Sequence, residues 1–269
     1  MAKGISIKFN SYQTTIPKLL DLINLGKELK KHSKIIIKPY IQPILEQASE
    51  NNPSTPINIQ FVEAVLSYCI KNKNPVSEVF IAEGADGNNT MELFAQQGYT
   101  KLAEHYSIGL IDLNSTEVEE IFNNKYLKFP EIVYPRVLRE AFVISLAKLS
   151  SSEELGLRGS LPNMLGAFPL DYYKGFFSNT KKRVKKWPLK YSIHDVLLCK
   201  MPDFAMIDAS EKGAILAGMP FEIDKQASKL LGIDWKNVPY LRLIEENIER
   251  FSENKEKDSN PNQLQDIAQ

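Results

Sequence analysis

Hydrophobic residues along the chain follow two alternating rhythms. Ile5, Ile7 and Phe9 alternate with polar neighbours, the period of a half-buried strand. Ile16, Leu19, Leu20 and Ile23 follow at i, i+3, i+4 and i+7, the stripe of an amphipathic helix. Thr14 or Thr15 can cap that helix, and Pro17 suits its first turn. Ile35, Ile36 and Ile37 form a continuous β-branched run between Lys34 and Lys38, typical of a strand covered on both faces, and Pro39 stops it. Asn51 to Pro56 reads as a loop. Helical spacing returns at Val62, Val65, Leu66 and Cys69, which makes Cys69 a small core residue. Val79–Ala82, Ile108–Leu113, Phe142–Leu146, Phe204–Asp208 and Ala214–Leu216 read as further strands. A short helix is expected from Pro135, and longer ones over 224–231 and 240–251. Strands thus alternate with helices. The pattern predicts one α/β domain over residues 1–250, with a mostly parallel or mixed sheet and helices on both faces. Residues 251–269 are polar and aperiodic and read as a disordered tail.

Composition narrows the classes of function. The 269 residues include 33 Lys+Arg and 33 Asp+Glu, a balance that argues against wholesale binding to nucleic acid or an anionic membrane. Two cysteines exclude a disulfide framework, a four-cysteine zinc site and a self-contained iron–sulfur cluster. The longest apolar stretch, Ala141–Ala147, is far short of the ~20 residues of a spanning helix. No secretory h-region is visible near Met1, so a cytoplasmic location is expected.

Candidate chemistry gathers where strands are expected to end, because open α/β sheets bind ligands beyond those ends. Lys38 closes the second strand, Lys148 lies just past Phe142–Leu146, and Asp208 ends a late strand. The segment Glu83–Thr90 follows the third strand and carries Glu83, Asp86 and two turn-forming glycines, Gly84 and Gly87. Its carboxylates could bind magnesium, manganese or calcium, or act in proton transfer; equally, the segment could be a polar turn with Thr90 as helix cap. Its glycine pattern is neither a dinucleotide fingerprint nor a Walker A loop. Asn163 sits in a punctuated stretch that reads either as a binding loop or as a short helix ended by Gly166. His194 is a candidate base or ligand, although an adjacent His194–Asp195 pair on a helix does not share a face as a triad would. Lys181, Lys182, Arg183, Lys185 and Lys186, beside Trp187, form one basic cluster. It reads as a solvated loop or as a docking patch for an acidic or redox protein partner.

Several segments, in order, resemble the domain-of-unknown-function family 362. Ile35-Ile-Ile-Lys-Pro39 resembles its early strand ending in Lys-Pro, and Phe61-Val-Glu-Ala-Val65 its following helix. Val79-Phe-Ile-Ala-Glu-Gly84 and Leu110-Ile-Asp-Leu113 resemble its next strands. Leu161-Pro-Asn-Met-Leu-Gly166 resembles the family's "LKNMLG", and Pro202-Asp-Phe-Ala-Met-Ile-Asp208 its "PDLAIIDG". Leu216 to Asp224, with Leu231-Gly232, resembles its closing strand and helix. The chain departs from that pattern at Pro162, where relatives carry lysine, and at Ala209, where they carry glycine. It also lacks the histidine that relatives place after the lysine matching Lys148, and the ferredoxin-type cysteine cluster many of them carry. The resemblance supports a site at the strand ends in which Lys38 and Lys148 bind a small anionic metabolite and Glu83, Asp86, Asp208 and Asp224 supply divalent-cation or proton-transfer groups. Asn163 and Thr90 are further candidates for binding that metabolite, and His194 joins Glu83 and Asp208 as a candidate catalytic residue. The alternative is a noncatalytic binding or redox-partner module that has lost that site.

Overall fold

The computed structural model describes residues 4–42 and 56–248. The expected tail and most of the expected Asn51–Pro56 loop lie outside the described residues. The chain opens with strand β1 (Gly4–Lys8), helices α1 (Tyr12–Leu22) and α2 (Leu25–Leu29), strand β2 (Lys34–Pro39) and helix α3 (Ile59–Asn72). Strand β3 (Glu78–Glu83), helices α4 (Thr90–Gln96) and α5 (Tyr99–Tyr106), and strand β4 (Gly109–Asp112) follow. A hairpin of β5 (Val118–Ile121) and β6 (Ile132–Pro135) leads through α6 (Arg136–Arg139) into β7 (Phe142–Lys148). A second hairpin, β8 (Ser150–Ser152) and β9 (Gly156–Arg158), precedes a 3-10 turn over Pro162–Ala167, then α7 (Leu170–Tyr173) and α8 (Leu189–Cys199). Strands β10 (Phe204–Ala209) and β11 (Ala214–Gly218) and helices α9 (Pro220–Leu230) and α10 (Pro239–Glu246) complete it.

The main sheet has seven strands in the order β1-β11-β10-β7-β2-β3-β4. The five from β10 to β4 run parallel, whereas β11 runs antiparallel to both β10 and β1. The chain winds outward from β2 to β3 and β4, then returns to lay β7 on the other side of β2. Ile35 of β2 therefore lies beside Phe142 of β7 and also beside Val79 of β3. That reversal of strand order leaves a crevice above the carboxyl ends of β2 and β7.

Alternation along the strands feeds two cores. Ile35, Ile37 and Ile81 pack with Ile16, Leu19 and Leu20 of α1 and Val62, Val65 and Cys69 of α3. Ile36, Val143 and Ile207 face the opposite way and pack with Leu138, Ile193, Val196, Ile223 and Leu241. Covered on both faces, these strands need no polar face, which is why Ile35–Ile37 is a continuous run. Burial pushes the Cys69 thiol up to about 12, as a core residue requires.

Three local expectations change. The first helix begins at Tyr12, because Ser11 is its cap and accepts from the Thr14 N–H at 3.3 Å, so Pro17 falls inside it. The helix expected over 224–231 starts earlier, with Pro220 in its first turn. Two small hairpins were not expected: Ser150–Ser152 contains no apolar residue at all, and β6 is only the short run Ile132–Tyr134.

Candidate functional site

Lys38 leaves the last turn of β2 and is wholly buried. Its ammonium donates to Glu83 Oε2 at 2.6 Å, to the Asn163 carbonyl at 2.5 Å and to Asn163 Oδ1 at 3.2 Å. Three acceptors match the three protons of a charged lysine, with Glu83 as its counter-ion. Burial alone pulls Lys38 down and pushes Glu83 up, and their mutual attraction opposes both shifts. Asn163 returns the contact: its amide donates to the Lys38 carbonyl at 2.8 Å, to Ser145 Oγ at 3.0 Å and to the Leu146 carbonyl at 3.2 Å. One side chain thus ties the 3-10 turn to β2 and β7. Glu83 Oε1 accepts from the Gly84 N–H at 2.9 Å. Gly166 lies against this pair so closely that any Cβ there would collide with Glu83 and Lys38.

Above this brace opens a cleft of about 730 Å³, whose lining includes Glu83, Asp86, Lys148, Arg158, Asn163 and Lys181. Lys181 comes from the basic cluster, yet it is 3% exposed. Its amine donates to the Gly84 carbonyl at 2.7 Å and the Gly166 carbonyl at 3.0 Å, and burial lowers it to about 8. Asp86 accepts from the Lys181 N–H and from Lys185 Nζ, each at 2.6 Å. Burial alone would raise Asp86, but those two donors outweigh it and hold the carboxylate below its usual range. Gly87, at φ 81°, makes the turn between them, whereas Gly84 is required for close approach to the Gly166 carbonyl.

The other expected site residues are placed as follows. Lys148 lines the cleft and pairs with Glu211 at 2.8 Å. Thr90 is not the helix cap: Asn89 takes that role, accepting from the N–H groups of Met91 and Glu92. Thr90 Oγ1 instead accepts from the Ala85 N–H and from Asn114, tightening the loop from beneath. Asp208 faces the opposite side of the sheet, where Tyr12 donates to it at 2.8 Å; it does not line the cleft. Asp224 accepts from Ser160 N and Oγ, from Leu161 N and from Tyr240 OH, so it latches the backbone leading into the 3-10 turn. His194 is buried in α8, and its Nδ1 meets Asp195 Oδ1 at 2.7 Å. Adjacent residues therefore do pair here, because Asp195 folds back to receive the N–H groups of Leu127, Lys128 and Phe129. Of the four carboxylates expected to share a cation, Asp208 and Asp224 are held away from the cleft, while Glu83 and Asp86 line it and are each paired with a lysine. Among the described residues no group of three or more His, Cys, Asp or Glu could hold a metal ion. The residues present do not fit the expected divalent-cation centre.

Of the basic cluster, only Lys181 is buried; Lys185 is exposed but reaches Asp86 at the cleft, and Lys182, Arg183 and Lys186 are exposed. Sequence reasoning missed Lys181 as a site residue. The signal available was Val184, an apolar residue three positions on, which is buried in the second core and carries one side of the segment inward.

A family model described as a domain of unknown function (DUF362) matches residues 35–220. The chain belongs to the DUF362 family. The matched span of this DUF362 chain holds Lys38, Glu83, Asn163 and Lys181, while Asp224 lies just beyond it. No curated protein matches the sequence. Among solved structures the chain is similar to the lactate racemase apoprotein from Thermoanaerobacterium thermosaccharolyticum. The two share 14% identity at a TM-score of 0.54, over 85% of this chain and 57% of that one. The likeness is one of fold, and the chain spans little more than half that protein's length. Among the described residues no helix is long and apolar enough to cross a membrane.

Proposed function

We propose that this DUF362 chain is a cytoplasmic enzyme that binds a small anionic metabolite in the cleft above β2 and β7. The observation that carries the reading is Lys181: an amine lowered to about 8, buried in the wall of an open cleft at the carboxyl ends of parallel strands. In its charged form such a group holds an anion, and in its neutral form it accepts a proton. Lys148, Arg158 and Lys185 also line the cleft, Lys148 paired with Glu211 and Lys185 with Asp86, so an entering anion would compete with those carboxylates. Lys38, Glu83 and Asn163 are positioning residues: they fix the 3-10 turn whose Gly166 carbonyl receives Lys181. No step is assigned to a metal ion. The structural neighbour is named for lactate, an anion of the proposed class.

Calorimetric titration with small mono- and dicarboxylates and with inorganic phosphate tests the reading. At least one probe should bind, and Lys148→Gln or Lys185→Gln should weaken it by about tenfold, the loss of a charge-assisted hydrogen bond. Lys181→Arg should keep binding while removing any pH dependence near 8. A panel in which no anion binds, or binding that ignores both Lys148→Gln and Lys185→Gln, would sink the proposal.

A further inference from the structure

Phe176 and Phe177 are each 95% exposed. They form the tip of a small hairpin closed by the Gly175–Ser178 bridge, with their rings packed edge to face at 4.8 Å. The hairpin is built rather than loose. Ser178 N–H donates to the Gly175 carbonyl and Gly175 N–H to the Thr180 carbonyl, both at 3.2 Å, while Arg183 N–H donates to the Tyr173 carbonyl at 3.0 Å. Its base is anchored by Tyr173, which is buried against Phe129 and Phe168. A firm scaffold therefore presents two large apolar rings to water, an arrangement that marks an interaction site. Lysine and arginine flank its base. The stem of Lys182 lies against Gly175, Arg183 donates to the Tyr172 carbonyl at 3.3 Å, and Lys174 pairs with Asp171, the carboxylate beside the hairpin.

We propose that this hairpin is a docking tip for an anionic phospholipid surface. Two rings offer roughly 400 Å² of apolar surface, about half of what one partner buries in a stable protein complex. The tip is also convex, so a protein partner would have to supply a matching pocket. A bilayer surface asks for no such complementarity: it takes aromatic rings at headgroup depth and attracts lysine and arginine around them. The contact is local and reversible, which a chain of balanced net charge permits. It is independent of the anion reading of the cleft.

Co-sedimentation of the full chain with phosphatidylcholine vesicles, with and without phosphatidylserine, tests it. The chain should bind the phosphatidylserine vesicles and release as salt rises. Phe176→Ser and Phe177→Ser should each reduce partitioning by about tenfold, the value of burying one such ring, and Lys182→Glu with Arg183→Glu should also reduce it. Phe122→Ser removes another exposed ring, on a different hairpin, and should leave binding unchanged. The proposal is overturned if the chain ignores both vesicles, or if the phenylalanine changes have no effect. It is also overturned if the same phenylalanines instead govern binding to a polyglutamate peptide, which would assign the tip to an acidic protein.

Discussion

Glu83 shows what a single buried charge commits the chain to. Replacing it by glutamine leaves the Lys38 ammonium buried without its counter-ion, which costs about 3–5 kcal/mol. Glu83→Gln should therefore lower the urea midpoint sharply, while the double change Lys38→Met, Glu83→Leu should recover much of the loss. Equal losses in both variants would mean that the pair is held for its shape rather than its charge. Lys181 makes a different prediction. Its native value of about 8 lies below its ordinary 10.5, so between those pH values the unfolded chain binds more protons than the native one. Native stability should then rise with pH across that window, by up to about 1.4 kcal/mol per pH unit relative to Lys181→Met. Parallel stability curves for the two proteins from pH 8 to 10 would refute it. Lys38 and Glu83 were legible as candidates because polar residues at the ends of apolar strands stand out, and Asn163 because it sits in a stretch punctuated by proline and glycine. Lys181 was not, because charge count says nothing about which lysine of a basic run turns inward. Asp208 and Asp224 were misleading for the converse reason: a carboxylate at a strand end or helix start is as readily a structural acceptor as a ligand.

At the scale of elements, the site depends on how the 3-10 turn is held. Asp224 receives four donors from Ser160, Leu161 and Tyr240, reaching from α9 to clamp the approach to Asn163. Asp224→Ala strands those donors and should cost roughly 3 kcal/mol or more. Amide exchange over residues 160–167 should accelerate before the sheet itself opens. Gly166→Ala should act from the other end, pushing the turn away from Glu83 and weakening any anion bound near Lys181; an unaltered ligand affinity would count against the turn's role. The long strands and α3 were readable because unbroken isoleucine runs and i, i+3, i+4 stripes each have one stable use. The hairpin β8–β9 was not, since Ser150–Ser152 carries no apolar residue, whereas β6 did hold the short apolar run Ile132–Tyr134, which three residues alone do not separate from a helical turn.

At the scale of the whole molecule, the hydrophobic rhythm announced an α/β sheet covered on both faces but carried no information on strand order. Parallel strands with the same apolar run are interchangeable in pattern, and only the packed helices decide which neighbour each takes. Protection from hydrogen exchange should be greatest in β2 and β7, the covered middle of the sheet, and least in β8, which has no apolar residue to bury. Uniform protection across both would contradict the architecture. The pairing of Ile35 with Phe142 has one more outcome. The sheet cannot close at its centre until β7, about a hundred residues beyond β2, has emerged from the ribosome, so the chain before it waits with one flank of β2 uncovered. This chain should consequently refold slowly for its size, and its early translation products are the species on which a chaperone would act.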